Sequence, residues 1–117
     1  MRSRLAPVAM LALAVSACNA ERKQQCDGLL DAMKPLDQGT PTAAAVEAVR
    51  KQVGGMAFTD QPLRIYAQNY GQTLTVLAGT LHLQESPEAP DGTAAVVKQN
   101  LEKARTDRAD VQRYCAQ

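Results

Sequence analysis

Apolar side chains recur at helical spacing along most of this chain. After Asp60, a predicted N-cap, they step by three or four residues at Leu63, Tyr66, Tyr70, Leu74, Leu77 and Leu81. A similar stripe closes the chain at Val97, Leu101, Ala104, Arg108, Val111 and Cys115. Two shorter stripes come before these two. The first consists of Cys26, Leu29, Leu30, Met33 and Leu36, and the second of Val46, Val49 and Val53. Strands need a period of two, so the pattern predicts four helices and an all-α fold.

Helix breakers and caps separate the four segments. Pro35 is expected to distort the first helix or to end it early. Thr40 and Pro41 suit an N-cap and a first helical residue, and the glycines at 54–55 suit a stop for the second helix. Residues 86–92, rich in proline and acidic side chains, break the chain before the last helix.

The N-terminus has a different character. Arg2 and Arg4 precede an apolar run of 11 residues, Leu5 to Val15. A helix needs about 20 residues to cross a bilayer, so this run is too short for a membrane span and is typical of an export signal.

The residues Val15-Ser16-Ala17-Cys18 resemble the lipobox of bacterial lipoprotein precursors. The resemblance covers residues 1–18 only. It implies that the sulfur of Cys18 is diacylated, that a signal peptidase cuts before Cys18, and that acyl chains such as palmitate anchor the protein in a membrane. The alternative is an ordinary secretory signal that happens to have a cysteine beside its cleavage site.

This interpretation divides the chain into a signal peptide (1–17), a lipidated cysteine with a short tether (18–25) and a helical bundle domain (26–117). The chain holds 13 Lys and Arg against 12 Asp and Glu, so no basic field is left for nucleic acid. The resemblance implies a lipid-anchored protein of the cell envelope. Asn19 stands where enteric lipoproteins of the inner membrane carry Asp, which favours the outer membrane, facing the periplasm.

Three cysteines in an exported chain leave one without a partner unless Cys18 carries lipid. Cys26 and Cys115 are then expected to form a disulfide, since the envelope outside the inner membrane is oxidising. A zinc site is the weaker alternative, because His82 is the only histidine and is far from both cysteines in sequence.

The expected disulfide also bears on the number of helices. Cys26 lies near the start of the first predicted helix and Cys115 near the end of the last. In an up-and-down bundle these positions meet only when the number of helices is even. The sequence therefore predicts an up-down-up-down four-helix bundle stapled by one disulfide, with a helical hairpin and looser flanking helices as the alternative.

Two surfaces are candidate contact sites for a protein partner. In the predicted topology, the end distant from Cys18 is an acidic tip formed by Asp37, Glu85, Glu88 and Asp91. Its alternative explanation is a solvated loop. The third helix also carries a ridge of small residues, Ala67, Gly71, Thr75 and Gly79, which predicts either close approach of a neighbouring helix or a docking groove for a partner helix.

The aromatic residues are expected in the membrane-proximal half, at Phe58, Tyr66, Tyr70 and Tyr114. Packing is the favoured role for Tyr66 and Tyr70, whereas Phe58 suits packing and lipid contact equally. Arg108 interrupts the apolar stripe of the last helix. We expect its stem to cover apolar surface while its guanidinium reaches water, with a buried ion pair as the alternative.

No catalytic motif is present in the sequence. His82 is expected to be an ordinary surface residue, and the chain contains no phosphate-binding glycine loop, nucleophile elbow or H-E-x-x-H motif. We therefore expect a non-enzymatic interaction or structural module with no cofactor and no metal. The alternative is a small-ligand or cofactor carrier that uses the bundle interior, for which Met33 and His82 would be the candidate haem ligands.

Overall fold

The structure, a computed structural model, describes residues 19–117. Helix α1 covers residues 19–33 and continues into a 3₁₀ turn at Lys34–Leu36. Helices α2 (Ala43–Gly54), α3 (Gln61–Glu85) and α4 (Thr93–Cys115) follow. No strand occurs among the described residues, so the predicted all-α fold with four helices is confirmed.

The helix boundaries follow local side-chain chemistry. The hydroxyl of Thr42 accepts a hydrogen bond from the Ala45 N–H at 3.1 Å, so α2 begins two residues later than Thr40 and Pro41 predict. The carboxylate of Asp60 accepts from the Leu63 N–H, as expected for the N-cap of α3. Pro35 coincides with the change from α-helix to 3₁₀ turn, which confirms that it ends the first helix.

Helices α3 and α4 form a long antiparallel hairpin. Three contacts along one seam join residues spaced by seven on each helix: Tyr66 with Tyr114, Thr73 with Asp107, and Thr80 with Asn100. The Thr73 hydroxyl donates to Asp107 Oδ2 at 2.6 Å, and the Asn100 amide donates to Thr80 Oγ1 at 3.4 Å. This seven-residue repeat is typical of helices that pack nearly parallel to each other over their whole length.

The two shorter helices cover different halves of this hairpin. Helix α1 lies beside the end of α4, where Cys26 is bonded to Cys115. Helix α2 begins beside the end of α3, where the Ala43 N–H donates to the carboxylate of Glu85 at 2.9 Å. These contacts are consistent with the up-down-up-down order.

The predicted disulfide between Cys26 and Cys115 is present, with the two Cα atoms 5.8 Å apart. It closes nearly the whole domain into one loop, and the chain-entropy model gives a stabilisation of about 4.5 kcal/mol for a loop of this size.

The bundle interior is filled by apolar side chains from all four helices. The largest of those less than 2% exposed are Tyr70, Leu29, Met33, Leu63, Leu74, Leu77, Leu81, Val46 and Val111. A carrier that holds its ligand inside the bundle would have to displace these side chains.

Candidate functional site

The start of α1 is fixed against the loop between α2 and α3. The side-chain carbonyl of Gln25 accepts hydrogen bonds from the N–H groups of Thr59 and Asp60, at 3.1 and 3.2 Å. The amide of Gln25 donates to the Thr59 hydroxyl at 2.6 Å, and that hydroxyl donates to Glu21 at 3.0 Å. Residues 19–25, expected as a tether, are therefore part of a helix that is clamped to the bundle. Cys18, the predicted lipidation site, lies outside the described residues.

An aromatic cluster occupies the same end of the bundle. The rings of Tyr66 and Tyr114 are 5.6 Å apart, and the Tyr114 hydroxyl donates to Asp60 Oδ2 at 2.6 Å. The guanidinium of Arg22 lies 5.3 Å from the centre of the Tyr114 ring. Desolvation, and then the hydrogen bond to Asp60, raise the pKa of Tyr114.

Phe58 is only 9% exposed and belongs to the core. Tyr70 is 1% exposed, and Tyr66 and Tyr114 pack against the core from its edge. The suggested lipid contact of Phe58 is therefore wrong in this structure, because the ring packs inside the domain.

The predicted acidic tip does not form as a cluster of four. Asp37 pairs with Arg108, which lies 15 residues beyond the start of α4, or about 22 Å along the helix axis. Glu85 caps the N-terminus of α2 through its hydrogen bond with the Ala43 N–H. Only Glu88 and Asp91 lie in the loop between α3 and α4, and both are exposed. The correction for Asp37 has a simple cause: α1 is too short to reach the far end of the hairpin.

Arg108 takes the less favoured of its two predicted roles. Its Nη1 atom lies 2.9 Å from Asp37 Oδ1, and the two side chains are only 25% and 27% exposed. The Arg108 Nε atom is buried and has no hydrogen-bond partner within the described chain. The guanidinium is thus part of a largely buried ion pair and does not extend freely into water. The pair also affects Tyr70: burial raises the pKa of this tyrosine, and the charge of Asp37 raises it further.

The ridge of small residues on α3 also departs from its favoured explanation. A Cβ atom placed on Gly71 or Gly79 would meet nothing within 4 Å, so no neighbouring helix approaches these two glycines closely. Ala67, Gly71 and Thr75 instead form one side of a surface groove of about 690 Å³. The docking-groove alternative therefore describes the geometry better than close helix packing does.

The opposite side of this groove is formed by the end of α2 and the loop that follows it. Two arginines and no carboxylate lie among the lining residues, which are Arg50, Val53, Gly54, Met56, Ala57, Phe58, Arg64, Ala67, Gln68, Gly71, Gln72 and Thr75. The guanidinium of Arg64 is held in place because it donates to the Phe58 carbonyl at 2.8 Å. The groove is therefore partly apolar and positively charged.

Neither arginine was singled out by the sequence, since Arg50 and Arg64 lie on different helices with no motif between them. Arg64 lies on the same side of α3 as the small-residue ridge, and Arg50 lies on the side of α2 that faces the groove. Only this shared position in the fold connects the two arginines.

His82 and Met33 do not form a pair of haem ligands. The imidazole Nε2 of His82 lies 3.0 Å from the carboxylate of Glu47 at an exposed position, whereas Met33 is 0% exposed within the core. The hydrogen bond from His82 lowers the pKa of Glu47. In the described part of the chain, no group of three or more His, Cys, Asp or Glu residues is placed to hold a metal ion.

None of the helices in the described residues is both long enough and apolar enough to span a membrane. No family model matches this chain, and neither a curated protein nor a solved structure matches it.

Proposed function

We propose that this chain is a lipid-anchored protein of a bacterial cell envelope whose helical domain is a non-enzymatic interaction module. The observation that carries the proposal is the pairing of Cys26 with Cys115. This pairing leaves Cys18 as the odd cysteine, at the position where the resemblance to a lipobox expects the acyl chains. A structural disulfide also favours an oxidising compartment outside the inner membrane, and we propose the outer membrane, facing the periplasm.

The hydrogen bonds that fix the start of α1 to the loop between α2 and α3 would determine the orientation of the domain relative to the membrane. Seven helical residues, 19–25, extend about 10 Å, whereas the same residues fully extended would reach about 24 Å. Because Gln25 and Glu21 are hydrogen-bonded to Thr59, the anchor would be joined to the bundle without a flexible spacer. The domain would stand on the membrane in a nearly fixed orientation, with its disulfide end towards the bilayer.

The groove beside Gly71 is the surface that best fits an interaction role. Its apolar floor and its two arginines suit a partner segment with both apolar and acidic side chains. The exposed loop that contains Glu88 and Asp91 is the second candidate contact surface, now without Asp37.

Lipidation is tested by incorporation of labelled palmitate, with Cys18→Ser as the variant. The parent protein is expected to incorporate the label and to lose residues 1–17, whereas the variant should incorporate none and keep them. A parent protein that takes up no label, or a variant that takes up as much as the parent, would contradict lipid anchoring at Cys18.

The two contact surfaces are compared by crosslinking in cells. Gly71→Leu places an apolar side chain in the groove, and nothing lies within 4 Å of its Cβ. The matched variant Glu88→Lys/Asp91→Lys reverses the charge of the loop. We expect the first variant to lose the partner crosslinks of the parent and the second to keep them. The reverse result would assign the interaction to the loop. If both variants keep the partner crosslinks of the parent, neither surface contacts the partner.

A further inference from the structure

Four large apolar side chains are exposed in the described part of the chain, and three of them lie on the outer face of α3. Ile65, Val76 and Leu83 are 50%, 56% and 51% exposed. The fourth, Val96, is 45% exposed and lies near the start of α4. At 100° per residue, Ile65, Val76 and Leu83 point within about 20° of one another, on the side opposite the core.

These residues belong to a second stripe with alternating four- and three-residue steps, which we call the outer stripe: Ile65, Asn69, Gln72, Val76, Gly79 and Leu83. All six are exposed. The core stripe of the same helix has the same steps and begins at Leu63, two residues earlier. Helix α3 therefore has the spacing of a coiled-coil seam on each of two opposite faces, and only the inner one is covered.

Charge distinguishes this face from the rest of the domain. Among its 25 residues, α3 contains only Arg64 and Glu85 as charged side chains, near its two ends and outside the outer stripe. The neighbouring helix α4 contains eight, at Lys98, Glu102, Lys103, Arg105, Asp107, Arg108, Asp110 and Arg113. A surface that met anionic lipid would be expected to carry Lys or Arg beside its apolar residues. The outer stripe itself carries no charge, and Lys103 of α4, which borders its middle, is paired with Asp107 at 3.3 Å. This arrangement favours a helix of another protein chain instead.

We propose that the outer stripe packs against the same stripe of a second copy of this chain, with the two α3 helices parallel. The heptad register that matches the stripe places Asn69, Val76 and Leu83 at one core position and Ile65, Gln72 and Gly79 at the other. Asn69 carries the argument, because a single asparagine at the first of these positions fixes the register and the oligomeric state of parallel two-stranded coiled coils. In parallel register Asn69 meets Asn69 of the other copy, and each amide hydrogen-bonds its counterpart.

The parallel direction also rests on the proposed function. Two copies whose α1 helices are both fixed to their bundles, and whose acyl chains enter one bilayer, point the same way. Confinement to one membrane raises the effective concentration of each copy for the other, which favours a seam that contains polar layers.

Disulfide crosslinking of the full lipidated protein in phosphatidylcholine vesicles tests this arrangement. Cys26 and Cys115 are bonded to each other and Cys18 carries lipid in this preparation, so an introduced cysteine is the thiol available for oxidation. We expect Ile65→Cys and Leu83→Cys each to form covalent dimers on mild oxidation. The matched control, Glu102→Cys, is exposed on α4 outside the stripe and should not. Dimer formation no faster than in the control would overturn the proposal.

Mixing the two stripe variants tests the direction. An antiparallel pair would bring residue 65 beside residue 83 of the other copy and favour the mixed crosslink over either self-crosslink, which would overturn the parallel arrangement. Asn69→Lys in the Leu83→Cys background should reduce crosslinking to the level of the control, because like charges then face each other. Adding copies with Asn69→Asp and Leu83→Cys should restore it. Circular dichroism of Asn69→Lys verifies that the exposed substitution leaves the helices intact.

The intact mass of the same preparation separates this proposal from the proposed function. In protein that carries no acyl chain, Cys18 is a second thiol in the stripe variants and in the Glu102→Cys control alike. Crosslinks of the stripe variants above that control would then support the dimer and contradict the anchor. Lipidated protein without stripe crosslinks would contradict the dimer alone.

Discussion

Asp37 and Arg108 join the end of the first helical segment to the middle of the last helix. The Arg108 Nη1 atom lies 2.9 Å from Asp37 Oδ1, and both side chains are about three-quarters buried. Next to this pair, Arg105 donates to the carbonyl of Gly39 at 2.8 Å, so the chain between α1 and α2 is held along α4. The ion pair and this hydrogen bond thus hold the connection between α1 and α2 against α4.

Loss of one partner of this pair is expected to lower the free energy of unfolding more than loss of both. Asp37→Ala leaves the guanidinium of Arg108 largely buried without its partner and should lower the free energy of unfolding by about 1–2 kcal/mol. The double variant Asp37→Ala/Arg108→Met should recover part of this loss, because no uncompensated charge remains. Urea unfolding of both single variants and the double variant measures the coupling. Strictly additive losses would mean that the pair contributes nothing.

The two glycines of the small-residue ridge are expected to weaken α3. Gly71→Ala and Gly79→Ala should each raise the free energy of unfolding by about 0.5–1 kcal/mol, because alanine favours a helix and nothing lies within 4 Å of the new Cβ. Gly92→Ala is the contrasting control. It should lower stability by about 1 kcal/mol, since residue 92 has a φ of +88° that alanine rarely adopts. Destabilisation by Gly71→Ala would indicate that a neighbour does pack against this ridge.

Two tyrosines should make the domain sensitive to alkali. The folded state raises the pKa of Tyr70, mainly by burial, and that of Tyr114 by desolvation and its bond to Asp60. Their contribution to stability is complete below the unfolded tyrosine pKa of about 10 and is lost as the pH rises above it. Urea midpoints measured from pH 8 upwards should therefore fall at alkaline pH, and less steeply in Tyr70→Phe. Equal slopes for parent and variant would contradict the account.

Loss of the Cys26–Cys115 bridge should lower the stability of the whole domain. The double variant Cys26→Ala/Cys115→Ala is expected to lose up to about 4.5 kcal/mol of unfolding free energy, because the unfolded chain regains the freedom of a loop that spans nearly the whole domain. The parent protein with its bridge reduced is the matched comparison, since it keeps both cysteine side chains, lacks only the bridge and should lose a similar amount. An unchanged urea midpoint in the double variant would mean that the bridge does not stabilise the fold.

Local patterns predict the helices of this chain well because each helix buries one stripe. The core positions of α3 and α4 follow directly from the three- and four-residue steps, and the pairing of Cys26 with Cys115 agrees with an even number of helices. Exact boundaries depend on contacts that are distant in sequence. Both Thr40 and Thr42 suit an N-cap, and only the structure shows that α2 begins after Thr42, where Glu85 meets the N–H of Ala43.

The predicted acidic tip is wrong for Asp37 because the first helix is much shorter than the third. Helix α1 ends at residue 33, before Pro35, whereas α3 continues for 25 residues. Asp37 therefore lies beside the middle of α4, a relationship that the composition of its own loop does not indicate. The outer stripe has regular three- and four-residue steps in the sequence. A search for apolar residues alone misses it, because Asn69, Gln72 and Gly79 occupy half of its positions.

The intact mass of protein extracted from membranes shows whether Cys18 is the lipidated first residue of the mature chain. We expect a chain that begins at Cys18, carries the mass of two or more acyl chains and contains one disulfide. A mature protein without acyl chains, or one that begins at another residue, would contradict it.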